Sequence, residues 1–252
     1  MIMIKKDLHI HSSYCDGNDT VEEIIKHAIS LKMETVGILA HSYTPFDEEP
    51  CIKEEDIPKF KSEVNSFKVK YQDKINVLLG LERDYFSSCS NLGFDYIIGS
   101  VHYLKVNSSY FAIDDTIEKL MEGCKKYFND DYYALCEEYY SLVSDVVNKT
   151  SCSIIGHFDL VTKFNEIYHL WDEKDPRYIA SWKKAVDALI PYHIPFEINL
   201  GGITRGKKTT PYPSFEIIEY IKSKGGTFIL SSDSHNKENI LKDFSKYEYL
   251  LK

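Results

Sequence analysis

The chain has 252 residues, of which 43% are hydrophobic and 27% are charged, and its formal net charge is −9. No apolar run of about 18 residues occurs, which argues against a membrane-spanning helix. The acidic composition also argues against a general affinity for nucleic acid, which binds basic surfaces. The first residues lack the apolar core of a signal peptide, so we expect a cytoplasmic protein with no membrane association.

Short apolar runs alternate with segments of helical pattern along the whole chain. The predicted strands are Lys6–His11, Thr35–Ala40, Ile75–Leu81, Asp95–Val101, Ser153–His157, Pro195–Leu200 and Thr227–Ser232. The predicted helices are Thr20–Met33, Glu54–Gln72, Thr116–Lys149, Arg177–Tyr192 and Ser214–Lys224. Thr20, with Glu23 three residues later, has the pattern of a helix N-cap. Strands that alternate with helices indicate parallel βαβ units.

Seven such strands favour an α/β barrel related to the (β/α)₈ design, formed by one domain over residues 1–252. Two small domains fit this even alternation less well. A doubly wound open sheet is the alternative fold. Its usual Gly-rich turn between a strand and a helix is missing from the sequence, which disfavours that alternative.

Histidines and acidic residues stand at the ends of most of the predicted strands. They are His9, His11, His41, Glu82, His102, His157, Asp233 and His235. In a parallel barrel the carboxyl ends of the strands meet on one face, where the functional groups collect. The pairs His9 with His11 and Asp233 with His235 are two residues apart, so on a strand both members point to the same side. Converging imidazoles and carboxylates predict a site for Zn²⁺, Mn²⁺ or Fe²⁺.

The order of these motifs resembles a known family. The segments, in chain order, are DLHIHSSYCDG, AHSYTPF, GLERDY, GSVHYL, GHFDL and SSDSH. Together they resemble the PHP (polymerase and histidinol phosphatase) superfamily from Asp7 to Asn236. GHFDLVTKF, EINLGGITRG and YPS add a closer similarity to the PHP-type histidinol-phosphate phosphatases. This resemblance implies a distorted seven-stranded, TIM-like barrel with a trinuclear metal site.

The resemblance also implies a set of ligands for two or three divalent ions, zinc, manganese or iron. By similarity, the first ion binds His9, His11, Glu82 and Asp233; Glu82 bridges to a second ion at His102 and His157; the third ion binds Asp16, His41 and His235. Catalytic roles fall to Glu82, Asp233 and His235. Three such ions, the acids Asp16, Glu82 and Asp233 and one bridging hydroxide leave the site at about +2, which attracts a phosphate dianion.

The expected reaction is hydrolysis of a phosphomonoester, most simply L-histidinol phosphate, by a hydroxide that bridges the metal ions. Arg205 matches a family position that contacts phosphate, and Lys163 stands where relatives carry Lys or Arg. We expect Asp159 and Asn199 to orient ligand imidazoles or to hold the amine or imidazole of a substrate. Strand alternation points Arg83 away from Glu82 and out of the site.

Two other functions stay open from the sequence. A PHP-type nuclease or nucleotide phosphoesterase would use the same ligands, although the acidic composition disfavours a DNA-bound role. A non-catalytic metal-binding or regulatory protein is the third hypothesis, which the full ligand set disfavours. The expected partner is therefore a small phosphorylated substrate, with no nucleic acid and no membrane. The sequence does not determine the oligomeric state.

Overall fold

In the computed structural model, which describes residues 5–252, seven parallel strands form one sheet. The strands of the described chain are β1 (Lys6–Asp7), β2 (Thr35–Ile38), β3 (Asn76–Asp84), β4 (Tyr96–Ser100), β5 (Tyr103–Val106), β6 (Ser109–Ala112), β7 (Ile154–Ile155), β8 (Phe196–Asn199) and β9 (Phe228–Ser231). The order in the sheet is β1-β2-β3-β4-β7-β8-β9. Each of the seven predicted strands therefore contributes to the sheet.

The main chain beyond β1 and β9 closes this sheet into a barrel. Ile10 pairs in parallel with Ser234. The amide of His11 donates to the Ser234 carbonyl at 2.8 Å, and the amide of Ser234 donates to the His9 carbonyl at 3.0 Å. These contacts join the first strand to the last, so the predicted seven-stranded α/β barrel is confirmed. The open doubly wound sheet is not the fold of this chain.

Helices fill the connections between the strands. They are α1 (Val21–Ser30), α2 (Ile57–Tyr71), α3 (Ile117–Phe128), α4 (Tyr132–Ser144), α5 (Val146–Thr150), α6 (Asn165–Tyr168), α7 (Pro176–Leu189), α8 (Gly201–Thr204), α9 (Phe215–Ser223) and α10 (Phe244–Tyr247). Short 3₁₀ turns cover Glu54–Asp56, Leu160–Phe164, Ile190–Tyr192, Lys237–Asn239 and Glu248–Leu251. None of the helices in the described part of the chain is long and apolar enough to cross a membrane.

Two local features differ from the sequence prediction. The segment Thr116–Lys149 is not one helix but the three helices α3, α4 and α5. Asn129 and Asp130 stop α3 because both adopt a left-handed conformation, with φ of 54° and 62°, which Asn and Asp tolerate better than most residues. Asp131 then caps α4 by accepting hydrogen bonds from two main-chain amides. The second difference is the antiparallel hairpin of β5 and β6, which the sequence analysis did not predict.

The core packs around the barrel on two main sides. One cluster fills the space between the barrel and the helices α3, α4 and α7, with Tyr140 and Trp182 each 1% exposed. The other lies between the barrel and the helices α1 and α2, with Ile24 and Phe60 at its centre. Buried polar side chains such as His9, Glu82 and Asp233 lie at the carboxyl ends of the strands.

Candidate metal centre

The strand ends and the loop before α1 bring all nine predicted metal-binding residues into one cluster. They are His9, His11, Asp16, His41, Glu82, His102, His157, Asp233 and His235, and each has a nitrogen or oxygen atom within 4.0 Å of another member. Eight of them, all but Asp16, lie on a barrel strand or within four residues of the end of one. The parallel barrel therefore delivers distant parts of the chain to one pocket.

Glu82 on β3 lies at the centre of this cluster and is 1% exposed. Its Oε2 atom faces three imidazoles, at 3.2 Å from His9 Nε2, 3.4 Å from His11 Nε2 and 3.0 Å from His41 Nδ1. Its Oε1 atom faces two more, at 2.8 Å from His157 Nε2 and 3.2 Å from His102 Nε2. One carboxylate therefore has imidazoles on both of its oxygens, which is the geometry that bridging two cations requires.

Asp233 closes the same group from the opposite side of the barrel. Its Oδ1 lies 3.5 Å from both His9 Nε2 and His11 Nε2. Its backbone has a φ of 49°, a conformation that costs free energy for a residue other than glycine. Strained residues of this kind cluster at functional sites, where the surrounding structure holds them in place.

Asp16 forms a second group with the remaining histidines. Its oxygens lie 3.1 Å from His235 Nε2, 3.6 Å from His41 Nε2 and 3.7 Å from His11 Nδ1. Each of these four residues offers a ligand atom, and the four atoms lie within 4.8 Å of one another. The sequence analysis grouped Asp16 with His41 and His235, and the structure adds His11 to that group.

Three buried polar atoms at the centre test whether a cation fits there. His9 Nε2, His11 Nε2 and Glu82 Oε2 have no hydrogen-bond partner within the described residues. Buried polar atoms without partners are costly and rare in folded proteins. A divalent cation among the two nitrogens and the oxygen would satisfy all three, and mixed nitrogen and oxygen donors suit Zn²⁺, Mn²⁺ or Fe²⁺. The residues present therefore fit a divalent metal ion.

The protonation states of His11 and Glu82 agree with this fit. Burial, with the neighbouring His235 and His41, lowers the pKa of His11 to about 3, so its imidazole is neutral and can act as a ligand. Burial by itself would raise the pKa of Glu82, but the facing imidazoles, His41 first, hold that pKa well below its usual value. Glu82 is therefore ionised at neutral pH, as a bridging carboxylate must be.

Glu197 on β8 is a buried carboxylate whose role the sequence analysis did not identify. Its Oε1 lies 2.6 Å from His9 Nδ1, and its Oε2 accepts hydrogen bonds from the His157 amide and the Asn199 side chain, both at 2.9 Å. This contact turns the ring of His9 so that Nε2 faces Glu82. The indication available in the sequence was a charged residue inside the apolar run Pro195–Leu200.

Asp84 has a similar position beside His102. It follows Glu82 by two residues on β3, so both side chains point to the same face. Its Oδ2 accepts the His102 amide at 3.0 Å and lies 3.3 Å from His102 Nδ1. This contact leaves His102 Nε2 directed at Glu82. The sequence analysis did not predict this role of Asp84.

Two of the four residues predicted to bind substrate line the cavity above this centre. The cavity has a volume of about 510 Å³, and both Arg205 and Lys163 are on its wall. The guanidinium of Arg205 donates to the carbonyl and carboxylate oxygens of Asp233 at 2.8 and 3.0 Å. Lys163 Nζ donates to the Asp114 carbonyl at 2.5 Å and lies 3.4 Å from its carboxylate. Arg205 is thus next to the metal ligands, whereas Lys163 is neutralised by Asp114.

The structure does not bring the other two predicted residues to the cavity. Asp159 is fully buried, accepts the Ser214 amide at 2.9 Å, and has its pKa raised to about 6 by burial. Asn199 is also fully buried and bonds to Glu197 and to the Gly201 amide. Neither side chain lines the cavity. Asn199 instead helps to hold Glu197 in place beside His9.

Arg83 is where strand alternation predicts it, on the face of β3 opposite to Glu82. Its guanidinium donates to the Asn91 side chain at 2.9 Å and to the Thr150 carbonyl at 3.2 Å. These partners hold the charge away from the metal ligands, so Arg83 takes no part in the centre.

Comparison with known families agrees with this arrangement. The family model of the PHP domain matches residues 7–200, which include seven of the nine clustered residues. The chain belongs to the PHP domain family. A PHP relative, the histidinol-phosphatase of Bacillus subtilis, is 24% identical over 264 residues, covering 94% of this chain and 96% of the relative.

Two solved structures show the same fold. One is a histidinol phosphatase candidate from Listeria monocytogenes, with a TM-score of 0.85 and 20% identity, covering 96% of this chain and all of that one. The other is the histidinol phosphate phosphatase of Lactococcus lactis, solved with zinc, L-histidinol and phosphate, with a TM-score of 0.75 and 21% identity. That match covers 98% of this PHP chain and 92% of the Lactococcus chain.

Proposed function

We propose that this PHP protein is a metal-dependent phosphomonoester hydrolase that converts L-histidinol phosphate and water into L-histidinol and phosphate, a reaction of histidine biosynthesis. The observation that carries the proposal is Glu82, buried among five imidazoles with Oε2 lacking a hydrogen-bond partner in the described chain. The relatives named histidinol-phosphatase support the choice of substrate. The Lactococcus lactis structure, titled as a complex with zinc, L-histidinol and phosphate, supports it further.

The ligands divide among two or three divalent ions, zinc, manganese or iron. His9, His11, Glu82 and Asp233 would hold the first ion; Glu82, His102 and His157 would hold the second; Asp16, His41 and His235 would hold the third. Ions bound there supply Lewis-acid stabilisation of the phosphoryl oxygens and lower the pKa of water. His41 lies between the second and third groups, since its two nitrogens face Glu82 and Asp16.

The residues of the chain then orient the phosphate and manage its charge. Arg205 stands beside Asp233 on the cavity wall, where its guanidinium can bind two phosphoryl oxygens in a bidentate manner. Asp233 borders both Arg205 and the group of His9 and His11, so we assign it the positioning of Arg205 beside the metal ligands. Glu82 and His235 complete the catalytic set. Glu82 contacts His9 and His102, which belong to the first and second groups of ligands, and His235 contacts both Asp16 and Asp233, which belong to the third and first groups.

Activity assays on metal-loaded protein test this proposal. Protein treated with a chelator and reloaded with Mn²⁺ or Zn²⁺ is assayed for phosphate release from L-histidinol phosphate, 5′-nucleotides and phenyl phosphate, and for oligonucleotide cleavage. We expect the highest kcat/KM for L-histidinol phosphate. Equally slow rates on all three esters would refute the choice of substrate, and cleavage of the oligonucleotide alone would identify a nuclease.

The variant His102→Ala tests the proposed ligand set. It removes an imidazole that faces Glu82 at 3.2 Å, so we expect less bound metal, loss of turnover and a preserved fold. Metal content is measured by elemental analysis and the fold by circular dichroism. His27→Ala on α1 is the matched control and retains full metal content and activity. If His102→Ala also retains both, His102 does not bind metal.

A further inference from the structure

The outer wall of the metal-centre cavity carries more acid than base. Among its lining residues Asp114 pairs with Lys163, and Asp115 pairs with Lys119. Asp47 and Glu49, on the connection from β2 to α2, also line the cavity. Within residues 5–252, no lysine or arginine lies within 4.0 Å of either carboxylate. The outer wall therefore carries a net negative charge, because its four acids Asp47, Glu49, Asp114 and Asp115 face only the two lysines Lys119 and Lys163 among the residues that line it.

Asp47 is fixed in place by its surroundings. Its main-chain amide donates to the Thr44 carbonyl at 3.1 Å, and its carbonyl accepts the Thr44 hydroxyl at 2.8 Å. The hydroxyl of Tyr103 donates to Oδ2 at 2.9 Å. The preceding residue, Phe46, stacks on Tyr110 of β6 with ring centroids 3.9 Å apart. A carboxylate held this firmly loses little conformational entropy on binding a ligand.

The inner end of the same cavity also indicates a bound ligand. Glu82 is 1% exposed, lines the cavity, and has Oε2 without a hydrogen-bond partner in the described chain. His102 faces Glu82, and the next residue, Tyr103, holds Asp47. The cavity thus has a cation-binding inner end and an acidic outer wall. A molecule with a phosphate at one end and a positive charge at the other matches this polarity.

We propose that Asp47 and Glu49 are specificity-determining residues, which select phosphomonoesters whose alcohol portion carries a protonated amine. Asp47 binds the ammonium group directly through Oδ1, which accepts no hydrogen bond within residues 5–252. Glu49, which is exposed, attracts the same ammonium group at longer range. The same two carboxylates repel esters with an anionic alcohol portion, so they discriminate against such substrates as well. This inference rests on the proposed phosphatase function.

The double variant Asp47→Asn with Glu49→Gln tests the inference. Both changes keep the side-chain shape, and the amide oxygen introduced by Asp47→Asn can still accept the Tyr103 hydroxyl, so the loop stays folded. We expect the ratio of kcat/KM for L-histidinol phosphate to kcat/KM for phenyl phosphate to fall about tenfold, mainly through KM, because the charge interactions of the half-buried Asp47 and the exposed Glu49 are lost. The single variant Glu49→Lys, at an exposed position, lowers the same ratio without touching a buried contact.

Glu48→Gln is the matched control. Glu48 lies between the two residues, but it accepts the Tyr43 hydroxyl at 3.0 Å and does not line this cavity, so the ratio stays at the wild-type value. The inference would be overturned if the double variant and Glu49→Lys both kept the wild-type ratio. It would also be overturned if these variants lowered kcat/KM equally for the two esters. Wild-type protein that releases phosphate from neither ester would instead overturn the proposed phosphatase function.

Discussion

Two buried carboxylates, Glu197 and Asp84, orient the imidazoles of the metal centre. An imidazole offers a lone pair at one nitrogen only when the other nitrogen holds the proton, and the partner of that proton decides which nitrogen is free. Glu197 faces Nδ1 of His9, and Asp84 faces Nδ1 of His102. In both histidines Nε2 is therefore the atom directed at Glu82.

Glu197→Gln tests this orienting role. The amide keeps the size of the side chain but loses the charge that holds the proton on His9 Nδ1, so we expect metal affinity to fall about 10- to 100-fold. Chelator competition measures the affinity, and circular dichroism checks the fold. Glu122→Gln, on the exposed side of α3, leaves the affinity at the wild-type level. Wild-type affinity in Glu197→Gln would show that His9 does not depend on this contact.

The capping box of α1 fixes the end of the loop that carries Asp16. Thr20 accepts the Glu23 amide, and Glu23 in turn accepts the Thr20 amide at 3.0 Å. Upstream, the loop folds tightly enough that a Cβ on Gly17 would lie 2.5 Å from the His11 carbonyl. Sequence pattern predicted this N-cap, since a cap depends on residues only three positions apart.

Thr20→Ala measures what the cap contributes. Loss of the hydroxyl leaves the Glu23 amide without its acceptor, so we expect a destabilisation of about 1 kcal/mol. For a chain of this length that corresponds to a fall in Tm of roughly 2–4 °C in a thermal melt. Thr20→Ser keeps the hydroxyl and serves as the control, with a Tm close to that of the wild type. An equal fall in both variants would mean that the hydroxyl does not cap the helix.

Barrel closure places ligands from the two ends of the chain side by side. His9 follows the first strand and Asp233 follows the last, and the pairing of Ile10 with Ser234 brings them to 3.5 Å. Ions in this centre would link ends of several strands at once. Metal binding should therefore stabilise the whole barrel, since it favours the folded state by mass action.

Chelation tests this coupling between metal and fold. At a free metal concentration of about 100 times Kd, binding adds about 2.7 kcal/mol to the stability of the folded state. We expect Zn²⁺ or Mn²⁺ to raise the Tm of chelator-treated protein by roughly 5–10 °C, and a smaller rise in His102→Ala. The same Tm with and without metal, measured by calorimetry, would contradict a metal centre that spans the barrel.

The sequence by itself determined the seven strands and their parallel arrangement, because both depend on local alternation of strand and helix patterns. It also placed eight of the nine clustered residues at strand ends, whereas Asp16 came only from the resemblance to a family. The extension of one domain over residues 1–252 stays a prediction, and residues 1–4 of it lie outside the described residues. The sequence analysis missed the break after α3, because the left-handed conformation of Asn129 and Asp130 leaves no periodic pattern in the sequence.

Only the tertiary structure decided how deep each polar side chain lies. Asp159 and Asn199 share faces with the ligand positions in the sequence pattern, yet neither lines the cavity, since Asp159 accepts the Ser214 amide and Asn199 donates to Glu197. The contact of Glu197 with His9 joins residues 188 positions apart, and the hydroxyl that fixes Asp47 comes from a hairpin 56 positions away. Such contacts depend on which strands lie side by side in the barrel. The spacing of residues along the sequence does not encode that arrangement.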